Sequence, residues 1–311
     1  MSLKTGRICY KIFEMKKIFL ILLVNLILFA VLSAGLVSYL NRNRINNEMS
    51  RISFEEFVNK YYKNIKFFRQ PEGLKYSKKP VILYGCSFAY GENLDVKDTF
   101  SYKLARYARR PVYNYALKGH CIQHMLFFTR MKEHYKDFPE PEYVIYTFIP
   151  AHLNRVMNTN YFGNTAYLEY KEQNGHLKRV YAPEFLRNLY ITIPYNRYLE
   201  TVYDSLLDRS GAKRLKLIKL YLEEARRAFN ERYPNTKFAV LLYDYSPVKI
   251  KNSVWAELRK EGFIVYKASK LGKFNPSDDK YKLPENIDKY RHPNGAAWDK
   301  IVPALSKELN L

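Results

Sequence analysis

Residues 141–149 read PEYVIYTFI, and from Tyr143 onward this is an apolar run interrupted by one threonine. A short run of β-branched and aromatic residues without in–out alternation predicts a strand buried on both faces, the mark of a parallel sheet covered by helices. The surrounding chain agrees. From Pro80 onward, PVILYG is followed by the helical pattern DTFSYKLARYARR, with Asp98 placed as its N-cap, and PVYNYAL by CIQHMLFFTRMKEHY. Leu215, Ile218, Leu222, Ala225 and Phe229 then mark a long amphipathic helix, which leads into the fourth strand, KFAVLLYDY. NSVWAELRKEG, closed by Gly262, FIVYKA and GAAWDKIVPALSKEL complete the series, with Pro303 expected to kink or restart the last helix. Strand–helix alternation of this kind predicts a doubly wound parallel sheet with its site at the carboxyl ends of the strands.

One region breaks the alternation. Residues 156–210 are rich in Tyr and Asn, and Asn174-Gly175 between two alternating runs signals a β-hairpin. This stretch reads as an insertion capping one end of the sheet.

The amino-terminal part has a different character. Residues 18–40, IFLILLVNLILFAVLSAGLVSYL, carry no charge over 23 positions, long enough for a membrane-spanning helix. Five basic residues precede it and Arg42 and Arg44 follow, a bias that places residues 1–17 in the cytoplasm and the remainder outside. The run exceeds a signal-peptide core, so an uncleaved anchor is expected despite the small residues of VLSAG. MKKIFLILL, beginning at Met15, resembles a natural start. No lipobox cysteine follows the run. Residues 41–78, polar and basic apart from a short helical pattern, read as a membrane-proximal stalk, and 79–311 as the folded domain.

A composition 47% hydrophobic and 16% aromatic excludes a disordered chain. The 52 basic against 30 acidic residues give a net charge of +22, suited to anionic partners. These charges are scattered and no nucleic-acid-binding motif accompanies them, so nucleic acid is not an expected partner. Three cysteines, Cys9, Cys86 and Cys121, lack framework spacing and argue against a disulfide scaffold.

The chemistry centres on VILYGCSFAYGENL at 81–94. Ser87 falls just past the first strand, between Gly85 and Gly91, in a turn that presents a side chain and frees backbone N–H groups. A serine hydroxyl needs a base. His292, in YRHPNGAAW, follows the last strand and precedes the last helix, at the same end of a parallel sheet as Ser87 although 205 residues away (292 − 87). Cys86 is the rival nucleophile, but an apolar thiol beside the serine suits a buried side. His120 and His124, at i and i+4 on a helix, have a spacing that can bind metal; without a carboxylate nearby they read as two polar rings on a helix face. No metal or cofactor is expected. Tyr243-Asp244-Tyr245 ends the fourth strand and either lines the site, supports the histidine, or only terminates the strand.

GCSFAYG at 85–91, NYALKG at 114–119 and HPNGAAW at 292–298 together resemble the nucleophile, glycine and histidine blocks of the SGNH/GDSL hydrolase superfamily, in a form with Cys where Asp is usual. The resemblance covers most of residues 80–310. It implies Ser87 as nucleophile, His292 as general base and the N–H groups of Ser87 and Gly119 in the oxyanion hole. Two positions depart from the family. The orienting Asp is usually three residues before the histidine, where Lys289 stands; Asp288, four before, completes a triad after a one-residue register change, or else a dyad remains. The third block, usually Gly-x-Asn-Asp, reads FIPAHLNR, leaving His152 or Asn154 as oxyanion donor, with His152 favoured as nearer the strand end. Arg155 holds an anionic substrate group or pairs with an acid.

The resulting expectation is a flavodoxin-like three-layer α/β/α sandwich with an inserted cap and an N-terminal transmembrane helix. Its expected activity is that of a membrane-anchored, extracytoplasmic serine esterase removing acyl groups such as O-acetyl from envelope carbohydrate. An acyltransferase on the same site and a non-catalytic carbohydrate-binding or assembly protein are the alternatives.

Overall fold

The computed structural model describes residues 78–130, 139–156, 170–174, 176–179, 211–245, 252–288 and 290–311, together with 23–25 and 32. Residues 23–25 and 32 are helical and exposed and fall in a separate unit of the chain. Among the described residues, no helix is long and apolar enough to cross a membrane. The rest of the expected anchor at 18–40, the stalk up to residue 77 and most of the insertion lie outside the described residues.

Five strands form the main sheet: β1 (Val81–Tyr84), β2 (Val112–Asn114), β3 (Tyr143–Phe148), β6 (Lys237–Leu242) and β7 (Ile264–Lys267). Their order is β2-β1-β3-β6-β7, every pairing parallel, with Val81 opposite both Val112 and Tyr143 and Tyr143 opposite Lys237. With the inserted hairpin set aside this is the 2-1-3-4-5 order of a flavodoxin-like sheet. The side chains alternate between two cores. Val81, Leu83, Tyr143, Ile145, Ala239 and Leu241 face α2 (Phe100–Ala108) and α8 (Gly295–Leu309), where Phe100 stacks on Trp298 with ring centroids 4.7 Å apart. The opposite face carries Phe148 against Trp255 of α6 (Asn252–Lys260) and Phe238 against Phe229 of α5 (Gly211–Asn230). All six residues of β3 are buried, as its unalternating sequence requires.

Local chemistry sets the helix boundaries. Thr99, not Asp98, caps α2: its hydroxyl accepts from the Tyr102 N–H at 3.3 Å, while Asp98 closes a 3₁₀ turn and pairs with Lys103 at 3.4 Å. Asn294 caps α8 through Ala297. That helix runs unbroken through Pro303, so the expected restart does not occur. Only one backbone bond, to the carbonyl of Asp299 on an exposed turn, is forfeited there. The α5 stripe predicted from periodicity is buried, with Ile218, Leu222, Ala225 and Phe229 fully excluded from solvent.

The hairpin at Asn174 is present, with β4 (Tyr170–Gln173) antiparallel to β5 (His176–Arg179) and Asn174 in the left-handed conformation at φ 54°. Leu177 is buried, and its carbonyl accepts from Arg130 at 2.9 Å. Glu224 of α5 gathers the guanidinium groups of Arg130 and Arg227, each at 2.6 Å, and His176 at 3.1 Å. Burial alone would raise the pKa of Glu224, but the hydrogen bonds from His176 and Arg130 and the two guanidinium charges more than offset it and hold the carboxyl below its ordinary range.

Trp298→Ala is expected to destabilise the domain by about 3–5 kcal/mol, since it removes the largest fully buried ring between α8 and α2. Urea unfolding of wild type and variant measures this directly.

Candidate active site

Gly85 ends β1 at φ +155°, so close to β3 that a Cβ would meet the Thr147 Cβ and carbonyl at 3.2 Å. This close approach turns the chain into α1 (Ser87–Tyr90), which Gly91 closes in the left-handed conformation at φ 78°. Asn114, at the end of β2, holds the turn from below. Its amide donates to the Ala89 carbonyl and the Ser101 hydroxyl, both at 3.1 Å, and its oxygen accepts from the Ala116 N–H at 3.0 Å.

The Ser87 Oγ lies 2.7 Å from His292 Nε2, and the other ring nitrogen of His292 meets the Asp288 carboxylate. A carboxylate at Nδ1 keeps the proton there, so Nε2 is the acceptor and Ser87 the donor. Asp288 is itself gripped: one oxygen accepts from the His292 N–H at 2.6 Å, the other from the Tyr290 N–H at 3.0 Å. Between Asp288 and His292, Arg291 takes the left-handed conformation at φ 55°, its N–H donates to the Asp288 carbonyl at 2.9 Å, and its guanidinium pairs with Asp279 at 2.9 Å. Lys289 lies outside the described residues. Burial would raise the pKa of Asp288, but the hydrogen bonds from the His292 backbone and ring and from the Tyr290 N–H outweigh it and hold the carboxyl below the usual range.

The ring of His292 is packed as well as hydrogen-bonded. Phe88 meets it edge-on at 4.9 Å, and Phe88 in turn contacts Tyr243 at 5.5 Å and Tyr245 at 5.1 Å. Tyr245 therefore supports the histidine through Phe88. Asp244 does not; its carboxylate accepts from the Ser269 N–H at 3.0 Å at the start of α7 (Ala268–Leu271).

Gly119 takes the left-handed conformation at φ 74° in the loop after β2, and among the described residues neither its N–H nor that of Ser87 is committed to an acceptor. Two other expectations are corrected. His152 is fully excluded from solvent, with Nδ1 2.8 Å from the Tyr146 hydroxyl and its ring edge-on to Phe148 at 5.4 Å, so it is packed in the core and does not face a substrate. Burial and the neighbouring Arg155 charge hold its pKa well below the histidine range. Arg155 is also buried, donates to the His120 carbonyl at 3.3 Å and is not open to an anionic substrate. Both residues belong to α4 (His152–Arg155), which folds back onto α3 (Ile122–Thr129): Gln123 donates to the carbonyls of Arg155 and Val156 at 3.1 and 3.0 Å. Asn154 is the third residue of α4, and its side chain is outside what the structure describes.

His120 precedes α3 rather than sitting on it, and its ring stacks on His124 at 4.0 Å, in the interior. Burial lowers the pKa of His120 well below the ordinary value. No group of three metal-ligating side chains occurs among the described residues. Cys86 is fully buried, and desolvation raises its thiol, which disfavours the thiolate a cysteine nucleophile requires.

Glu92 was not anticipated. It follows Gly91, its carboxylate lies 3.6 Å from His292 Nε2, and it pairs with Lys118, the residue before Gly119. The only sequence signal was an acid directly after the glycine that closes the Ser87 turn.

No family model matches the chain, and no curated protein matches it. Solved structures do. One is a protein assigned to the G-D-S-L lipolytic family from Desulfitobacterium hafniense, 12% identical, covering 74% of this chain and 99% of its own, with a TM-score of 0.40. In the order of its three sequence blocks, at 85–91, 114–119 and 292–298, the chain resembles the SGNH/GDSL superfamily. Others are a salicylyl-acyltransferase from a tetracycline biosynthetic pathway (13% identity, 75% of this chain and 55% of that one, TM-score 0.43) and a family two carbohydrate esterase from Clostridium thermocellum in complex with cellohexaose (12% identity, 76% and 65%, TM-score 0.39). Likenesses this distant assign no role to any residue here.

Asp288 binds its proton more weakly in the fold than in the unfolded chain, so its ionised form stabilises the domain above the ordinary carboxylate range. That contribution is lost as pH falls through the depressed folded value. Asp288→Asn should therefore be destabilising near pH 7, with the gap to wild type shrinking below a pH of about 4. Urea unfolding at both pH values checks the direction.

Proposed function

We propose that this protein is a serine esterase of the SGNH type, with Ser87 as nucleophile, His292 as general base and Asp288 as the residue that orients and charge-stabilises the imidazole. The observation that carries this reading is the hydrogen-bond chain Ser87–His292–Asp288, drawn from loops at opposite ends of the sequence. Ser87 Oγ attacks an ester carbonyl while its proton passes to His292 Nε2. The N–H groups of Ser87 and Gly119 stabilise the oxyanion that forms. His292 then returns the proton to the leaving alcohol, and water releases the acyl group from Ser87.

The substrate belongs to the proposal in full. A net charge of +22 suits an acidic polymer, and the uncharged run at 18–40 suits an anchor that holds the domain outside the cytoplasm. O-acylated envelope carbohydrate satisfies both. The oriented Ser–His pair favours this activity over a binding protein that merely keeps the fold, because binding alone does not call for a buried carboxylate behind a histidine.

Labelling with a fluorophosphonate tests the assignment. Wild type is expected to label, and Ser87→Ala to lose labelling. His292→Ala should slow p-nitrophenyl acetate hydrolysis by at least roughly a hundredfold. Unlabelled, folded wild type would overturn the reading, and labelling that survives Ser87→Ala would move the nucleophile elsewhere.

A further inference from the structure

Glu92 is placed where the mechanism above does not need it. The orienting carboxylate is already present on Nδ1, from Asp288, yet the Glu92 carboxylate approaches the other nitrogen, Nε2, at 3.6 Å. That separation is too long for a direct hydrogen bond, and Ser87 already occupies Nε2 at 2.7 Å. Two contacts and its burial hold Glu92 there. Its backbone N–H donates to the Ser87 carbonyl at 3.1 Å, its side chain is largely withdrawn from solvent at 14% exposure, and it pairs with Lys118. The same ion pair holds the Lys118 ammonium pKa above its ordinary value, chiefly through the hydrogen bond to Glu92. Lys118 itself is 67% exposed, so the pair keeps a carboxylate aimed at the reacting atoms from the open side.

Once Ser87 carries an acyl group, its oxygen has no proton to donate. Nε2 then needs a new donor, and the incoming water must supply it. From this geometry we propose that Glu92 orients the water of the deacylation step, an inference that rests on the Ser87–His292 reading. The water gives one O–H to Nε2 and holds the other against the Glu92 carboxylate, which directs its lone pair at the acyl carbon. The water oxygen bonds to that carbon as its first proton passes to Nε2. The bond from carbon to Ser87 Oγ breaks, His292 returns the proton to Oγ, and the acid leaves. Glu92 only accepts a hydrogen bond throughout, so no proton is left on it. A simple alcohol has one O–H and cannot satisfy both sites. Water can, and so can a sugar with a neighbouring hydroxyl, so the carboxylate selects among acceptors as well as positioning them.

The test is pre-steady-state hydrolysis of p-nitrophenyl acetate by the full chain, with intact-mass detection of acetylated protein. In Glu92→Leu, the first turnover should proceed at close to the wild-type rate while steady-state turnover falls roughly tenfold to a hundredfold, so that acetyl-enzyme accumulates. Glu92→Gln, which keeps the shape and a neutral acceptor, should show the same imbalance in weaker form. Lys118→Met, which breaks the ion pair but leaves the carboxylate, should slow turnover less than Glu92→Leu. A parallel fall in both phases for both Glu92 variants would overturn the proposal, as would Lys118→Met reproducing the full Glu92→Leu pattern; either result would make Glu92 a tie between loops. Wild type that never acetylates would instead overturn the serine-esterase reading itself.

Discussion

The five strands of the main sheet all run the same way, and the active-site geometry follows from that. Parallel pairing brings the carboxyl ends of β1, β2 and β7 to one edge of the sheet, so the turn carrying Ser87, the loop carrying Gly119 and the segment leading to His292 open on the same side. A histidine 205 residues from the serine then needs only a short, rigid loop to reach it. That loop is stiff because Asp288 is tied by three hydrogen bonds and the His292 carbonyl accepts from the Leu283 N–H at 2.8 Å.

Next to Ser87 lies a layer of buried polar and ionisable groups. Cys86, Cys121, His120, His124, His152 and Arg155 are all buried. Burial raises the two thiols and lowers His120 and His152, so these groups stay neutral around the Arg155 guanidinium. Separating a cation from water is costly unless carbonyls and other dipoles replace the solvent, and the His120 carbonyl is one that does so. The effect is to lock the loop before α3, and with it Gly119, against α4. His152 and Arg155, expected to touch substrate, instead help hold the backbone next to Gly119.

The fold was readable largely because strands buried on both faces have a distinctive composition; YVIYTF, an apolar run with a single threonine after a helical pattern, reads as such a strand. Ser87 stood out because it follows the end of β1, and His292 because it stands just before the last helix, at the same end of such a sheet. The hairpin turn at Asn174-Gly175 was legible from turn chemistry alone. By contrast, the helix cap shifted from Asp98 to Thr99 because the competing groups differ only in which oxygen reaches the Tyr102 N–H. Arg155 and His152 were misread since charge and polarity in a sequence say nothing about which way a short helix turns its side chains.

By itself, then, the order of apolar runs, glycines and polar strand-end residues determined a parallel α/β sheet and a serine facing a histidine. Only the tertiary structure decided how the acid is supplied. Asp288 reaches His292 across a loop in which Arg291 is left-handed, and Glu92, near Nε2, is paired with a residue in another loop. The first is a matter of local backbone geometry that residue types alone do not announce, and the second of a contact between two loops.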